Sequence, residues 1–328
     1  MEYTTLGTTG VTVSEICLGC MSFSEDGRDW TLDREASTEL IERAIDLGIN
    51  FFDTANVYSN GESESILGDA LSGYDRDAQV VATKVYGEMD ADDPNAQGLS
   101  RKAIEQELAN SLERLGMETI DLYQIHRWDQ NTPIVETMRT LDDAVRRGQV
   151  RSLGASSMWA YQFAEALDTS RRLGLERFQT MQNHYNLAYR EEDREMLPLC
   201  EREGVGSIPW SPLARGYLAR PHEAFLDTVR GRYMDGGRFA DRIDTYRAGG
   251  GAEINERVQE MAEENGVTMA QIGLAWLLHQ DAVDAPIVGV SSVEHLEEAA
   301  EAVDLSLSTS DQAYLEEPYQ PVEVNGHS

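Results

Sequence analysis

The feature that most constrains this chain is an alternation. Eight short apolar runs lie at Ile16–Cys20, Asn50–Asp53, Val80–Thr83, Ile120–Ile125, Arg151–Ala155, Phe178–Asn183, Val205–Pro209 and Pro286–Val288. Stretches of helical spacing separate most of them. Short apolar runs without polar alternation read as strands buried on both faces, and helices between them make such strands parallel. The helical stretches are well marked. Thr31–Leu47 carries Ala36, Leu40, Ile41, Ala44 and Ile45 on one face and stops at Gly48. Ser100 stands as N-cap to a helix striped by Ile104, Leu108, Leu112 and Leu115, with Gly116 at its end. Further helices are expected over 63–71, 133–148, 161–173, 193–203 and 268–280, and from Val293 onward. Eight strand–helix units predict an α/β fold, the (β/α)8 TIM barrel, which takes about 250 residues. The chain has 328. The surplus fits an N-terminal β-hairpin over 3–13, a long irregular insertion after strand 7 (213–252) and a C-terminal tail. A doubly wound sheet would place G-x-G-x-x-G after an early strand, and none occurs there. No repeat or linker divides the chain, so 1–328 is expected to be one domain.

Parallel strands deliver whatever follows their C-terminal ends to one edge, where barrels bind ligands. At that edge stand Asp53 and then Tyr58 after run two, Lys84 after run three and His126 after run four. Any one of them has a blander explanation, as a helix cap or a surface residue. Together they form a proton-handling group suited to reducing a carbonyl. Phenols are poor acids near neutrality, with an unperturbed pKa of about 10. A close ammonium favours the phenolate, and Lys84 is the candidate ammonium. Asp53 would hold that ammonium charged in a dry site. His126 would donate to the carbonyl oxygen and stabilise its developing charge.

Composition narrows the setting. Asp and Glu number 59 against 27 Lys and Arg, a formal charge of −32. Such a charge makes a compact chain repel itself, and molar salt relieves this because the screening length falls to about 3 Å. A salt-rich cytoplasm is the expected setting, and nucleic-acid binding is disfavoured. Lys84 and Lys102 are the sole lysines. A chain that carries almost no lysine has kept one at a strand end. No run of about 18 apolar residues suggests a membrane span, and residues 1–10 lack a secretory pattern. Cys17 and Cys20 have redox-pair spacing. Residues three apart in a strand face opposite ways, however, so neither a disulfide nor a metal site is expected.

Later strand ends offer nucleotide contacts. Gly154–Ser157 brings small hydroxyl residues, and Gln182 and Asn183 bring amides. Trp210 offers a face for stacking. Ser211–Gly216 could wrap a pyrophosphate with backbone N–H groups. Gly289–Ser292 precedes a helix whose N-terminus attracts phosphate.

These residues, in order, carry a resemblance. LGTTGVTVSEICLGCM, GINFFDTANVYSNGESESILGDAL, VVATKV, LGMETIDLYQIHRWD, GASSM, QNHYNL, IPWSPLARG and APIVGVSSVEHLEE are similar to segments of the aldo-keto reductases over nearly the whole chain. The nearest likeness is to the branch with the bacterial YajO-type oxidoreductases. The resemblance implies a barrel that binds NADPH in an extended pose. Tyr58 would be the proton donor, assisted by Asp53 and Lys84, with His126 orienting the carbonyl. It places Ser156 and Gln182 at the nicotinamide carboxamide and Trp210 against the ring. Ser211, Leu213 and Gly216 would lie along the pyrophosphate, and Ser291 and Glu298 near the adenosine. Many relatives carry a basic residue where this chain has Ser292, and Gln and Asn where His295 and Ala299 stand. NADPH is therefore the first expectation and NADH the alternative. Arg215, Arg232 and Arg238 are candidates to replace the missing cation. The expected substrate is a small-molecule aldehyde or ketone, held in a pocket of Trp30, Tyr86, Trp128, Trp159 and the 213–252 segment. Two other functions fit less closely: a nucleotide sensor with slow turnover, and a Schiff-base lyase using Lys84. No interface signal defines an oligomeric state.

Overall fold

A computed structural model describes residues 1–228 and 240–327. Strands β1 (Tyr3–Thr5) and β2 (Thr12–Ser14) form the expected antiparallel hairpin. The barrel strands follow: β3 (Cys17–Gly19), β4 (Phe51–Asp53), β5 (Val80–Val85), β6 (Ile120–Ile125), β7 (Val150–Ser156), β8 (Phe178–Gln182), β9 (Gly206–Ser207) and β10 (Ile287–Val288). All eight are parallel, in the order β10-β3-β4-β5-β6-β7-β8-β9. The ring closes where Asp284 N donates to Ser207 O at 2.8 Å and Ile287 N to Pro209 O at 2.9 Å. The fold is the (β/α)8 barrel.

Helices pack around this ring: α1 (Arg34–Asp46), α2 (Glu62–Leu71), α3 (Arg101–Leu115), α4 (Ile134–Arg146), α5 (Ala160–Leu173) and α6 (Met196–Glu203). After β9 come α7 (His222–Leu226), α8 (Ala240–Ala248), α9 (Gly251–Asn265) and α10 (Met269–Leu278), and after β10 come α11 (Val293–Glu301) and α12 (Thr309–Glu316). The caps read from the sequence are in place. Ser100 accepts the Ala103 N–H at 3.2 Å, and Gly116 ends α3 with a left-handed φ of 64°. Among the described residues no helix is long and apolar enough to cross a membrane.

The apolar interior separates by position. One cluster fills the N-terminal end of the barrel: Cys17, Phe51, Val80, Ala82, Leu122, Ile208 and Ile287, plugged from below by Leu6 and Val13 of the hairpin. The plug sits close: Gly7 N donates to Asp284 Oδ2 at 2.7 Å. A Cβ on Gly7, whose φ is 53°, would fall 2.6 Å from Gly206 N. A larger cluster lies between sheet and helices and includes Cys20, so Cys17 and Cys20 occupy opposite sides of the wall, and both thiols are free. A third cluster gathers Tyr185, Tyr217, Tyr246 and Trp276 under α9, α10 and the C-terminal segment.

The main departure lies in 213–252, expected to be irregular. Its described part holds a tight turn at Ala214–Ala219, α7, α8 and the start of α9. Helix α9 itself was not expected, although Ile254, Val258, Met261 and Ala262 give it a regular buried stripe. Three glycines at 249–251 open it, and its remaining surface is largely glutamate, so its local signal is that of a loop. The tail also contains a helix, α12, capped by Ser308. Arg232 and Arg238 lie outside the described residues.

Candidate active site

Asp53 ends β4, but the chain does not leave the sheet there. Thr54 N donates to Ala82 O at 2.9 Å and Asn56 N to Lys84 O at 3.2 Å, so residues 54–56 run on along β5. This lays Tyr58 beside Lys84. Ser59 and Asn60 then reverse the chain with left-handed φ values of 47° and 54° before α2 begins. Strain of this kind persists where the surroundings enforce it, and here they do. Thr54 Oγ1 bonds Ser63 Oγ at 2.8 Å, and Ser63 in turn donates to Cys20 O. Asn56 Nδ2 donates to the buried Glu107 at 2.9 Å. Glu64, fully buried, accepts from Thr83 and from Arg114.

Lys84 has no solvent exposure. Its ammonium donates to Asp53 Oδ1 at 2.5 Å, Thr54 O at 2.8 Å and Tyr58 Oη at 3.2 Å. An ammonium has three hydrogens, and three acceptors take them. Burial pulls the Lys84 pKa down, but Asp53 and Tyr58 more than restore it, leaving it raised above its ordinary value. Because Tyr58 Oη accepts from Lys84, its own hydrogen is free to point elsewhere. His126 follows β6, its N–H bonded to Val85 O, with its ring edge-on to Tyr58 at 5.7 Å. Desolvation, then the charges of Lys84 and Arg127, hold its imidazole well below the usual range, so the ring is neutral near pH 7. Tyr58 and His126 are partly exposed at the mouth, and Asp53 and Lys84 lie beneath them.

A second group continues from β7 around to β9. Ser157, with φ of 51°, donates its N–H to Asn183 Oδ1 at 2.8 Å. Its hydroxyl accepts from Trp210 Nε1 at 3.0 Å and contacts Ser156 Oγ at 3.1 Å. Trp210 stacks on His184 (4.3 Å, 10° between planes), and His184 on Tyr189 (4.2 Å, 13°). Gln182 donates to Asp53 Oδ2 at 2.9 Å. Of the nucleotide candidates, Gln182 thus touches the catalytic group directly, while Ser156 and Trp210 meet at Ser157.

Ser211, Leu213 and Gly216 share one strained turn, in which Ser211, Ala214, Arg215 and Gly216 all have positive φ. Leu213 anchors it, packing where a Cβ on Gly273 would stand 3.1 Å away. Ser291 and Glu298 stand on the loop and helix after β10, and the Trp210–Ile287 bridge makes that loop a neighbour of the 211–216 turn. Ser292 caps α11, and Ser291 Oγ lies 3.1 Å from His295 Nδ1.

Of the pocket candidates, Trp128 is buried, Trp159 is exposed at the rim, and Trp30 carries the Arg28 guanidinium 4.4 Å from its ring. Three features escaped the sequence reading. Gln124 is buried against Asp53, and a polar residue between Tyr123 and Ile125 in IDLYQI was its signal. Glu64, Glu107 and Arg114 brace the Tyr58 loop from α2 and α3. The chain end returns to the rim: Asn325 N donates to Tyr189 Oη at 2.9 Å, and the His327 ring meets Trp159 edge-on at 4.9 Å. Nothing in the local sequence of 320–327 encodes that path.

Comparison with known proteins identifies the family. The sequence model of the "Aldo/keto reductase family" matches residues 15–320. A Schizosaccharomyces pombe protein named as an aryl-alcohol dehydrogenase is 42% identical, covering 99% of this chain and 97% of its own length. The versiconal hemiacetal acetate reductase of Aspergillus parasiticus is 41% identical over 99% of both chains. A Saccharomyces cerevisiae protein, also named as an aryl-alcohol dehydrogenase, is 38% identical over 96% of both.

Proposed function

The chain belongs to the aldo/keto reductase family, an oxidoreductase acting on carbonyl and alcohol groups, and from that premise we propose that it reduces an aldehyde or ketone to an alcohol with NADPH, Tyr58 giving the proton. The observation that carries this reading is the saturation of Lys84. All three of its hydrogens are spent on Asp53, Thr54 O and Tyr58 Oη. The ammonium is thereby fixed beside the phenol, whose own proton is left available to a carbonyl at the mouth. The same saturation disfavours a Schiff-base role, which needs the free amine. His126, neutral, donates to the carbonyl oxygen alongside Tyr58. A positioned acid of this kind contributes roughly 10²–10⁴ in rate.

The residues present suit a nicotinamide nucleotide. Ser156, Ser157, Gln182 and Asn183 form a buried amide-and-hydroxyl shelf. The Trp210–His184–Tyr189 stack gives an aromatic wall. The 211–216 turn holds left-handed residues that only a tight backbone constraint explains. When bound, the nicotinamide supplies the hydride. Ser211, Leu213 and Gly216 would hold its pyrophosphate, and Ser291 and Glu298 its adenosine. NADPH is the first choice and NADH the alternative, because Ser292 stands where a cation would hold a 2′-phosphate. The names of the fungal relatives, rather than the YajO-type branch, guide the substrate: an aryl aldehyde or a bulky cyclic carbonyl, seated against Trp30, Trp128 and Trp159.

The test is nucleotide oxidation by purified protein in molar KCl, with NADPH and NADH offered separately and an aromatic aldehyde as acceptor. Tyr58→Phe is expected to lose turnover by at least about a hundredfold while still binding nucleotide. Wild-type protein that binds nucleotide but reduces nothing in a broad carbonyl panel would favour a sensor instead.

A further inference from the structure

Beneath the Lys84–Asp53 pair lies a polar layer, one member of which, Gln124, has no part in the reaction as described. Asp53 gives one oxygen, Oδ1, to Lys84. Its other oxygen, Oδ2, accepts from two amides: Gln124 Nε2 at 3.0 Å and Gln182 Nε2 at 2.9 Å. The amides also bond each other, Gln182 Nε2 to Gln124 Oε1 at 3.2 Å. An ionised carboxylate only accepts, so both amides must turn their NH2 groups toward Asp53, and the contacts fix the orientation of both side chains. All three residues are buried.

The backbone makes room for this layer. A Cβ on Gly154 would stand 2.8 Å from Gln124 Cγ and 2.4 Å from Thr180 Oγ1. Glycine at that place in GASS lets the Gln124 side chain lie flat across the barrel. An unbranched apolar residue would fill the space as well, so packing alone does not explain an amide.

We propose that Gln124 is a positioning residue for proton transfer, holding Asp53 so that Lys84 stays charged and keeps its bond to Tyr58 Oη. A buried carboxylate with one partner can take the proton of that partner, and two amide donors on its far oxygen oppose this. Among the described residues no other facing group replaces them. The titratable and charged groups around the pair are Tyr58, His126, Arg127, Cys17 and Cys20. Burial, then Asp53 itself, pushes both thiols far above their usual range, so they stay neutral. His126 is neutral, and Arg127 lies beyond it. The inference rests on the reading of Tyr58 as proton donor.

The test uses Gln124→Met and Gln124→Glu, with Tyr58→Phe as a parallel arm. Nucleotide affinity is read by tryptophan fluorescence, and kcat for alcohol oxidation is read across pH. Gln124→Met should bind nucleotide within about threefold of wild type. Its kcat should fall roughly 10–100-fold, and the pH midpoint of alcohol oxidation should move up by about half a unit or more. Gln124→Glu can donate to Asp53 only while protonated. Its activity relative to wild type should therefore be highest at the acid end and decline as pH rises. An unmoved midpoint in Gln124→Met overturns the inference, whatever happens to kcat. Should Gln124→Met fail to fold, a flat activity ratio in Gln124→Glu does the same. Turnover retained in Tyr58→Phe would instead remove the premise, and that result is distinguishable from either.

Discussion

Replacing Lys84 by methionine tests how the site is paid for. Lys84 is fully buried and Asp53 nearly so, with side-chain exposures of 0% and 3%. Without the ammonium, Asp53 keeps its two amide donors but loses the partner at 2.5 Å. Removing one member of a buried pair costs about 3–5 kcal/mol, because the remaining charge is left uncompensated. The variant is thus expected to lose about 3–5 kcal/mol at pH 7. Adding Asp53→Asn removes the charge, and the double variant should recover most of the loss while remaining inactive. The assay is urea unfolding in molar KCl at pH 7, followed by tryptophan fluorescence. A cost under about 1 kcal/mol would refute the reasoning, since a stranded buried charge cannot be that cheap.

Two further outcomes are expected. Burial, tempered by the Gly7 N–H, raises the Asp284 carboxyl to about 6, so its protonated form favours the fold; that stabilisation is complete below about 3.8 and is lost as pH rises through 6. Asp284→Asn should match wild type near pH 4 and exceed it by about 3 kcal/mol at pH 8 in urea unfolding, and equal stability at both pH values would count against the shift. The net charge of −32 should make the thermal midpoint climb with KCl, most of the gain coming before 1 M, as the screening length shrinks from about 10 to 3 Å. A midpoint that is flat or falls with added KCl would show that self-repulsion does not limit this fold.

The catalytic candidates were legible because the parallel barrel turns a one-dimensional property into a three-dimensional one. Knowing that Asp53, Lys84 and His126 come at or just past the C-terminal ends of consecutive strands is enough to place them on one edge, without any knowledge of distance. Tyr58 needed more. Its position depends on residues 54–56 continuing along β5 and on the brace from Glu64, Glu107 and Arg114, and the sequence showed only that it lay near. Strand bounds held to within a residue or two where the run was long. At β9 only Gly206 and Ser207 pair as strand, because the closing contacts to Asp284 and Ile287 are single bonds. Helix α9 was hidden by its glycines and its acidic surface, and the path of 320–327 depends on residues far away in the chain, among them Tyr189, Glu191, Trp159 and Gly249.

Gln124 shows why a strand read by hydrophobicity alone conceals the most informative residue in it. The barrel interior is divided. Its lower end is apolar and closed by Leu6 and Val13, and this is where burial stabilises the fold. Its upper end holds Asp53, Lys84, Gln124 and Gln182, four polar side chains within hydrogen-bonding reach of one another. Burying such groups is unfavourable unless each finds partners, so the layer is tolerated only as a connected set. Removing any member takes a hydrogen-bond partner from at least one other, so the layer responds as a unit. A polar residue buried within an apolar strand is thus the mark of a connected polar layer, because burial without partners is unfavourable.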